Sequence, residues 1–423
     1  MQNKVIKNIE KYPLNWEMSK KILTHPSEKI NLTSDNVEFD LVMAKGDHLV
    51  KSSHEKYMVI DMLGTGTFGQ VVRCISDDGE EVAIKVVKNQ PRYYNYEMNE
   101  VRILHKLMYN NLNDRFVLIK DVFMYKQHLC IVEELLGHNL YTFLKMTKFK
   151  GLDHSTLRFV LFQILDGILQ LSRMGIVHCD LKPENILIVD YTTFKVKIID
   201  FGSATVSPQE SHFYVQSRYY RAPEVILGIP YGSSCDIWSV ACIAYELYSG
   251  SPLFAGKDNM DQIGMIHRFF GSLPVFMLEH GKNSNAFFEK ENGYRFVGSP
   301  SSIFTINDMK RIIDSKSMET EENKNLMDFL LKALQPSHLL RPDAKSLMSH
   351  SYIKCKKPVA EEIPRVENDR SGVQQKIFPP TKNQRHMSTT GVLLSRIKQK
   401  PDENRRKISV CNISYENSLN RNP

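Results

Sequence analysis

Apolar residues alternate with polar ones over short runs in the first third of the chain. Strands are predicted at 57–63, 70–75, 81–87, 116–123 and 129–132, where β-branched and aromatic residues lie between turn-forming residues. A helix is predicted at about 95–109, because apolar residues recur there every three or four positions. This part of the chain therefore predicts a small β-rich unit that carries one helix.

Beyond Leu136 the apolar pattern becomes helical. Leu157 to Leu169 form a broad apolar stripe, and a second buried helix is expected at about 234–249. Residues 275–320 form a polar insertion with Gly and Ser, and 326–353 complete the unit. We predict a two-lobed α+β fold with four parts: a partly ordered extension at 1–52, a small lobe at 53–136, a large, mostly helical lobe at 137–353, and a tail at 354–423.

The positive charge of the chain lies in the tail. Residues 354–423 contain 15 Lys/Arg and 7 Asp/Glu, so their net charge of +8 accounts for the +7 of the whole chain. The tail has few large apolar residues, and we expect it to be disordered. Arg405 to Ser409 could form a phosphorylation site or part of a nuclear-import signal. A nucleic-acid binder is the weakest interpretation, because the basic residues lack interleaved aromatic ones.

No apolar run approaches the length of about 18 residues that a membrane helix needs, and the first 25 residues are charged. The seven cysteines are scattered and include no Cys-x-x-Cys pair, which argues against disulfides and a zinc site. We therefore expect an intracellular protein with free thiols that makes no membrane contact.

A glycine-rich segment separates the first two predicted strands. Leu63 to Val72 read Leu-Gly-Thr-Gly-Thr-Phe-Gly-Gln-Val-Val, and glycines allow backbone N–H groups to approach phosphate oxygens closely. An ordinary glycine-rich turn would explain such a match equally well when it stands alone. A dinucleotide-binding loop would open a helix, whereas a strand follows here.

Lys85 ends the strand Val-Ala-Ile-Lys, where its charge can reach the phosphates of a nucleotide. A surface lysine is the alternative interpretation. The helix that follows carries Glu100, and an ion pair between Lys85 and Glu100 would hold the ammonium group in place. Glu97 is the second candidate for this partner.

The remaining chemistry lies in three segments of the large lobe. One contains His178-Cys179-Asp180, followed by Lys182 and Asn185; an Asp base and an Asn metal ligand have this spacing in protein kinases. An apolar strand leads to Asp200-Phe201-Gly202, whose carboxylate can ligate Mg²⁺. Arg221-Ala222-Pro223-Glu224 come next. The order and spacing of these motifs resemble a protein kinase domain.

With these residues the chain resembles the dual-specificity tyrosine-regulated kinases (DYRK), and within them the Yak branch. His178-Cys179-Asp180 is shared by that family and its homeodomain-interacting relatives, and three further matches lie at 66–72, 200–204 and 214–221. Leu23 to Glu28 also look like the Yak-type extension. The resemblance covers about residues 21–353. It implies ATP and Mg²⁺ as cofactors, Ser and Thr of protein substrates as acceptors, a monomer, and action in growth, cell-cycle and stress signalling in cytoplasm and nucleus.

The resemblance also implies the role of each site residue. Asp180 accepts the proton of the substrate hydroxyl, Lys182 neutralises charge on the γ-phosphate, and Lys85 pairs with Glu100. Asn185 and Asp200 hold Mg²⁺, and Glu184 favours an arginine in the substrate. Two structural contacts are expected, one from Asp236 to the catalytic-loop backbone and one from Arg341 to Glu224. The nucleotide is expected to contact Leu63, Gly64, Thr65, Gly66, Thr67, Phe68, Gly69, Gln70, Val71, Ala83, Lys85, Glu134 and Leu136.

Cys179 departs from the usual kinase pattern. Many kinases have an arginine there that clamps a phosphate of the activation loop, and a thiol cannot do so. The resemblance implies that the enzyme phosphorylates its own Tyr214, whose phosphate Arg218 and Arg221 could hold. The alternative is that Tyr214 is a packed loop aromatic.

Glu133 is a second departure, since a large apolar residue usually occupies this gatekeeper position behind the nucleotide. A carboxylate there could compete with Glu100 for Lys85 or be held by that lysine, because an unpaired buried charge is costly. The alternative is a one-residue register shift that points Glu133 outward.

Two other classes of protein compete with a protein kinase. A pseudokinase would keep the fold without the chemistry, but every catalytic part is present in this sequence. A small-molecule phosphotransferase of related architecture is disfavoured, because Arg221 to Glu224 and the tyrosine-rich segment before them indicate peptide substrates.

Overall fold

The computed structural model describes residues 22–24, 35–206, 214–318 and 320–354. The predictions for the tail, including Arg405 to Ser409, lie outside these residues. So does most of the Yak-type segment after Thr24.

The small lobe is one antiparallel sheet of six strands. The strands are β1 His48–Ser52, β2 Glu55–Thr65, β3 Gly69–Ser76, β4 Glu81–Val87, β5 Ile119–Tyr125 and β6 His128–Glu134. Their order in the sheet is β1-β2-β3-β4-β6-β5. The sheet thus includes five residues before the predicted start of the small lobe, because β1 pairs with β2 in a hairpin. The strand predicted from Phe116 begins only at Ile119, since Phe116 bridges to Ile198 of the large lobe instead.

One helix, α1 Pro91–Tyr109, connects β4 to β5. It starts four residues before the predicted position, with Pro91 in its first turn, where the missing N–H of proline costs no hydrogen bond. Its buried face carries Val101, Leu104 and Leu107 together with two acidic residues, Glu97 and Glu100. Buried carboxylates on an otherwise apolar face need a cationic partner, and this helix faces Lys85.

The extension before β1 packs on the outer part of the sheet. Leu41 and Met43 join Val59 and Val72 in the core of the small lobe. Asp35 lies 2.9 Å from Nε2 of the fully buried His128. The described part of the extension therefore completes this core.

The large lobe is mostly helical. Its elements are α2 Leu140–Met146, α3 His154–Arg173, β7 Ile186–Asp190, β8 Lys195–Ile198, α4 Pro223–Leu227, α5 Ser234–Ser249, α6 Asn259–Phe270, α7 Val275–His280, β9 Phe288–Lys290, β10 Tyr294–Phe296, α8 Ile306–Lys316, α9 Thr320–Ala333 and α10 Ala344–Met348. Helices α3 and α5 form its centre, and the stripe from Leu157 to Ile168 is core. The predicted polar insertion at 275–320 folds into α7, the β9–β10 hairpin and α8.

Arg341 and Glu224 fix the base of the large lobe, as the sequence predicts. Two guanidinium nitrogens of Arg341 donate to the two carboxylate oxygens of Glu224 at 2.6 and 3.0 Å. Both side chains are completely buried. This bidentate pair connects Glu224, at the end of the activation segment (residues 200–224), to the chain before α10, so it fixes the end of that segment.

Candidate active site

The glycine-rich hairpin between β2 and β3 covers one side of the cleft between the lobes. Gly69 has a φ of +155°, and a Cβ atom there would lie 2.1 Å from the carbonyl oxygen of Val86, so this position requires glycine. A Cβ on Gly64 would meet nothing within 4 Å. The hairpin therefore leaves open space at its tip for a ligand, while Gly69 lets it lie against β4.

Strand alternation places one set of side chains on the cleft face of the sheet. Val71 is paired with Lys85 between β3 and β4, and Ala83 and Lys85 are paired with Glu133 and Ile131 between β4 and β6. Residues opposite each other in an antiparallel pair share a face. These five side chains therefore lie on the cleft side of the sheet, where Ile131 is completely buried in the core and the other four line the space in which an adenine ring and phosphates would lie.

Lys85 is surrounded by carboxylates. Its Nζ lies 2.6 Å from Oε2 of Glu100, 2.6 Å from Oε2 of Glu97 and 3.7 Å from Oδ1 of Asp200. Burial opposes the charged form of Lys85, but attraction by Glu100, Glu97 and Asp200 outweighs it and holds the pKa well above its usual range. Both glutamates proposed from the sequence as partners of Lys85 thus contact it.

Glu97 and Glu100 differ in their other contacts. Oε1 of Glu100 accepts a hydrogen bond of 2.7 Å from the backbone N–H of Phe201. Glu97 is completely buried, and burial raises its pKa well above the usual range, with Glu100 adding to the shift and Lys85 opposing it. Burial therefore disfavours the charged form of Glu97, whereas Glu100 joins Lys85 to the backbone of Phe201.

The catalytic loop, which carries His178, Cys179 and Asp180, is held by a buried aspartate, as predicted. Asp236 on α5 accepts hydrogen bonds from the backbone N–H groups of His178 at 2.8 Å and Cys179 at 3.0 Å. Cys179 has a φ of +64°, a strained conformation for a residue with a side chain. Asp236 thereby stabilises the turn that presents Asp180 to the cleft.

Asp180 is oriented by donors from two segments. Lys182 Nζ donates to its Oδ2 at 2.6 Å, and the backbone N–H and hydroxyl of Ser217 donate to its Oδ1, each at 2.8 Å. Asn185 donates from Nδ2 to the backbone carbonyl of Asp180 at 2.9 Å. The sequence gives no signal for Ser217, which lies 37 residues away in the activation segment.

Asp200 and Asn185 lie side by side, because the N–H of Ile199 donates to the carbonyl of Asn185 at 3.0 Å. Burial opposes the charge on Asp200, yet Lys85 and Lys182 hold its pKa below the usual value. Phe201 is completely buried against His178 and Phe116, with ring centroids 5.0 and 5.7 Å away. This packing aims Asp200 into the cleft as an ionised carboxylate.

These two residues fit a divalent metal of the hard type. An ionised carboxylate and the amide oxygen of Asn185, whose Nδ2 is already used, are oxygen donors of the kind that Mg²⁺ prefers. Within the described residues no group of three or more His, Cys, Asp or Glu could hold a metal. An ion here would complete its shell with phosphate oxygens and water.

Two residues predicted to contact the nucleotide turn their side chains elsewhere. Gln70 alternates with Val71, so its amide faces the extension and donates from Nε2 to the carbonyl of Leu41 at 2.9 Å. The Glu134 carboxylate accepts from the N–H of Leu118 at 2.7 Å and pairs with Lys197. A nucleotide contact at Gln70 or Glu134 would therefore come from the backbone, and the prediction that these two residues contact the nucleotide stays a prediction.

Glu133 faces the cleft, and the predicted alternative of a register shift is wrong. It is paired with Ala83, whose side chain lies on the cleft face. Burial raises the pKa of Glu133 to about 8, with Glu100 and Asp200 adding to the shift and Lys85 opposing it. No lysine, arginine or histidine in the described part of the chain lies within 4 Å of its carboxyl group.

The activation segment places Arg221 against Tyr214 and directs Arg218 to another part of the chain. The guanidinium carbon of Arg221 lies 4.4 Å from the centre of the Tyr214 ring. Arg221 is 1% exposed, and it donates to the carbonyls of Val215 and Gln216 and to Oδ1 of Asn259. Arg218 instead donates to the carbonyl of Lys257 at 2.5 Å. Residues 207–213 lie outside the described residues.

Comparison with known proteins agrees with this geometry. A model described as the protein kinase domain matches residues 57–353. The chain is 76% identical over 404 residues to a protein named probable dual specificity protein kinase YAK1 homolog from Encephalitozoon cuniculi, covering 96% of this chain and 99% of that protein.

More distant relatives carry related names. The dual specificity protein kinase YAK1 of Saccharomyces cerevisiae is 44% identical over 278 residues, or 64% of this chain and 34% of the yeast protein. The human dual specificity tyrosine-phosphorylation-regulated kinase 4 is 35% identical over 361 residues, covering 83% of this chain and 67% of the human one. The chain thus spans about a third of the length of the yeast relative.

The chain belongs to the protein kinase family, in the group of the Yak1 and dual-specificity tyrosine-phosphorylation-regulated kinases. It is a serine/threonine protein kinase, a transferase that uses ATP and a divalent metal. No helix in the described ranges is long and apolar enough to span a bilayer.

Proposed function

We propose that this chain is a Mg²⁺-dependent protein kinase in which Asp180 is the base and Lys182 the cation at the transferred phosphate. One observation carries the assignment: Asp180, Lys182, Asn185 and Asp200 meet in a single cleft opposite Lys85. The two donors from Ser217 hold one oxygen of Asp180 in a fixed direction. A positioned carboxylate of this kind accepts the proton of a substrate hydroxyl.

Asn185 and Asp200 would hold the metal, and Lys85 would contact the phosphates. When bound, Mg²⁺ neutralises phosphate charge and orients the transferred group. The ion pair of Lys85 with Glu100 keeps the ammonium group on the cleft side, and Glu100 in turn is tied to Phe201. The position of α1 is therefore coupled to the position of Asp200.

The test measures transfer of labelled phosphate from ATP to a basic protein, with Mg²⁺, Mn²⁺, Ca²⁺ or a chelator. We expect transfer with Mg²⁺, none with chelator, and a loss of at least about 100-fold in Asp200→Asn. The control variant is Glu291→Gln, an exposed residue between β9 and β10, which should match the unmodified protein. A well-folded protein that transfers no phosphate under any of these conditions would be a pseudokinase, and the proposal would fail.

We also propose that Tyr214 is the site of autophosphorylation, with Arg221 holding the phosphate. Arg221 is a buried cation whose hydrogen bonds all go to neutral oxygens, and no carboxylate lies within 4 Å of it in the described residues. An uncompensated buried charge is costly. A phosphate on Tyr214 would supply the missing anion directly beside the guanidinium group.

Peptide mass spectrometry of the protein expressed in bacteria tests this second proposal. We expect phosphate on Tyr214 in the active protein and none in Asp180→Asn, which cannot modify itself. Arg221→Met should lower the activity of the phosphorylated enzyme more than Arg218→Met, because Arg218 is directed to Lys257. A fully active enzyme with unmodified Tyr214 would refute the proposal.

The cellular setting is proposed from kinship. Relatives in the Yak group lead us to propose action in growth, cell-cycle and stress signalling, in both cytoplasm and nucleus. Imaging of the tagged chain, with and without residues 354–423, tests the location and the role of Arg405 to Ser409. Exclusion of the full chain from either compartment would contradict this proposal.

A further inference from the structure

One aromatic side chain joins the glycine-rich hairpin to helix α1. Phe68 lies between Gly66 and Gly69 and is half-buried, although it belongs to a loop. Its ring centroid lies 5.9 Å from that of Tyr93, in an edge-to-face arrangement, and 6.3 Å from that of Tyr96. Both distances are in the range of stabilising aromatic pairs. The tip of the hairpin is therefore attached to α1 through a single ring.

The two tyrosines lie on the face of α1 that also contacts Lys85. Four residues follow the spacing i, i+3, i+4, i+7 of one helix face, namely Tyr93, Tyr96, Glu97 and Glu100. The two glutamates each lie 2.6 Å from Nζ of Lys85. One face of α1 thus holds Lys85 with carboxyl groups and the hairpin with aromatic rings.

The Phe68 ring lies at the end of the cleft where phosphates would bind. Its centroid is 5.8 Å from Nζ of Lys85, a favourable distance for a cation above an aromatic ring. A Cβ atom on Gly202, two residues after Asp200, would lie 3.9 Å from Cε2 of Phe68. The backbone carbonyl of Phe68 accepts from the N–H of Lys88 at 2.9 Å. The hairpin is therefore fixed to β4 by its backbone and to α1 by this ring.

We propose that Tyr93 and Tyr96 are positioning residues for the nucleotide phosphates: through Phe68 they hold the glycine-rich hairpin closed over the phosphates while Glu100 contacts Lys85. The inference rests on the proposed kinase function, because it assumes that ATP occupies this cleft. A displacement of α1 would release Lys85 and the hairpin together. Closure of the hairpin and formation of the ion pair are then two results of one helix position.

Titration calorimetry with Mg²⁺-ADP and with adenosine tests the inference separately from catalysis. We expect Tyr93→Leu/Tyr96→Leu to weaken ADP binding about fivefold, because two aromatic contacts are lost. Adenosine has no phosphates beneath the hairpin, so its binding should stay within about twofold of the unmodified protein. A purely structural role of the tyrosines would weaken the binding of both ligands alike.

Two control variants accompany this change. Tyr93→Phe/Tyr96→Phe keeps both rings and should bind ADP like the unmodified protein. Tyr94→Leu alters a tyrosine of the same helix that is 41% exposed and lies off the face defined above, and it should also bind ADP normally. Tyr96→Leu alone, at a position that is 40% exposed, should weaken ADP binding by a smaller factor. Thermal melting checks that each variant is folded.

A double-mutant cycle with Phe68→Leu shows whether the tyrosines act through this ring. Phe68→Leu should weaken ADP binding at least as much as the two tyrosine changes, and adding those changes to it should cost no more than about twofold further.

Three results would overturn the inference: unchanged ADP binding in Tyr93→Leu/Tyr96→Leu, an equal loss of adenosine binding, or the full loss of ADP binding again in the Phe68→Leu background. An unmodified protein that binds no ADP would overturn it as well. The expected pattern of binding in a protein that transfers no phosphate would leave this inference intact and refute the kinase proposal.

Discussion

On the large-lobe side of the cleft each catalytic acid is matched by donors, whereas on the small-lobe side the acids outnumber the cations. We call Asp180, Lys182, Asn185 and Asp236 the floor, and Lys85, Glu97, Glu100 and Glu133 the roof. In the floor, Asp236 accepts two backbone N–H groups and Asp180 is held by Lys182 and Ser217. In the roof, Glu97 and Glu100 both contact Lys85 while Glu133 has no cation within 4 Å among the described residues, and the pKa values of Glu97 and Glu133 are raised.

The difference shows two ways of stabilising buried carboxyl groups. The floor compensates its charges with fixed donors, so its geometry is set before substrate binds. In the roof, burial instead raises the pKa of Glu97 and of Glu133 and so favours their neutral forms. Removing a charge should therefore be harmful in the floor and neutral or favourable in the roof, except at Glu100.

The largest effect is expected from Asp180→Asn in the floor. The amide can still accept from Ser217, so the fold should persist, but it cannot take the substrate proton. We expect kcat to fall by about 10³-fold or more, with a melting temperature close to that of the unmodified protein. Steady-state kinetics and thermal melting provide the two readouts. Retention of a tenth of the activity would show that Asp180 is not the base.

The next largest effect is expected on stability, at the buried ion pair between Arg341 and Glu224. Arg341→Met leaves Glu224 completely buried without a cation, and we expect a loss of about 3–5 kcal/mol in the free energy of unfolding. Urea titration measures it. Arg73→Met, which breaks the exposed pair with Glu81, is the matched control and should cost about 1 kcal/mol or less. Equal losses of unfolding free energy in the two variants would mean that burial does not determine how strongly the Arg341–Glu224 pair stabilises the fold.

A pair of isosteric changes separates the two glutamates of the roof. Glu100→Gln removes the charged partner of Lys85, and we expect kcat/KM to fall about tenfold, or about 1.4 kcal/mol. Glu97→Gln replaces a carboxyl group whose charged form is disfavoured by burial, so kcat/KM should stay within about twofold. Kinetics of both variants at pH 7.5 check this. Similar losses of kcat/KM in both variants would show that Glu97 acts as a charged group, and that the carboxyl groups of the roof are ionised like those of the floor.

The motifs made much of this site predictable, because phosphoryl transfer requires a few residue types at fixed spacing. Asp180, Asn185 and Asp200 lie together as their spacing indicates, and β2, β3 and β4 follow the alternation of apolar residues to within two residues. Ser217 was not predictable, since a loop serine carries no periodic signal for a partner 37 residues away. Strand alternation alone could have placed Gln70 outside the cleft, one position from Val71.

Motifs and local periodicity do not predict contacts that depend on the pairing register of distant strands. Whether Glu133 points inward follows from its register with Ala83 on β4, and β4 and β6 are separated in sequence by a helix and a strand. The bridge from Phe116 to Ile198 shortens β5 for the same kind of reason. Local periodicity predicts which faces are apolar, but not which residues of distant strands stand opposite each other.

The smallest expected effect is a pH dependence of stability that originates at Glu133. Its pKa is about 8 in the folded protein against 4.5 for an ordinary glutamate. Between these values the unfolded chain releases the proton and the folded protein keeps it, so the contribution of Glu133 to stability falls as pH rises through this window. Below about pH 4.5 both states are protonated, and the contribution is constant.

Glu133→Gln removes this pH dependence of stability. Glu97 is present in both proteins, so the difference between the variant and the unmodified protein measures the contribution of Glu133. The two proteins should have similar free energies of unfolding at pH 5, and the variant should be more stable by about 1 kcal/mol at pH 8, a value reduced for partial solvent access. Urea titrations at pH 5, 6.5 and 8 measure the difference. A difference that is constant or changes sign would show that the Glu133 carboxyl is ionised in the folded protein, and that the roof, like the floor, compensates its charges with fixed partners.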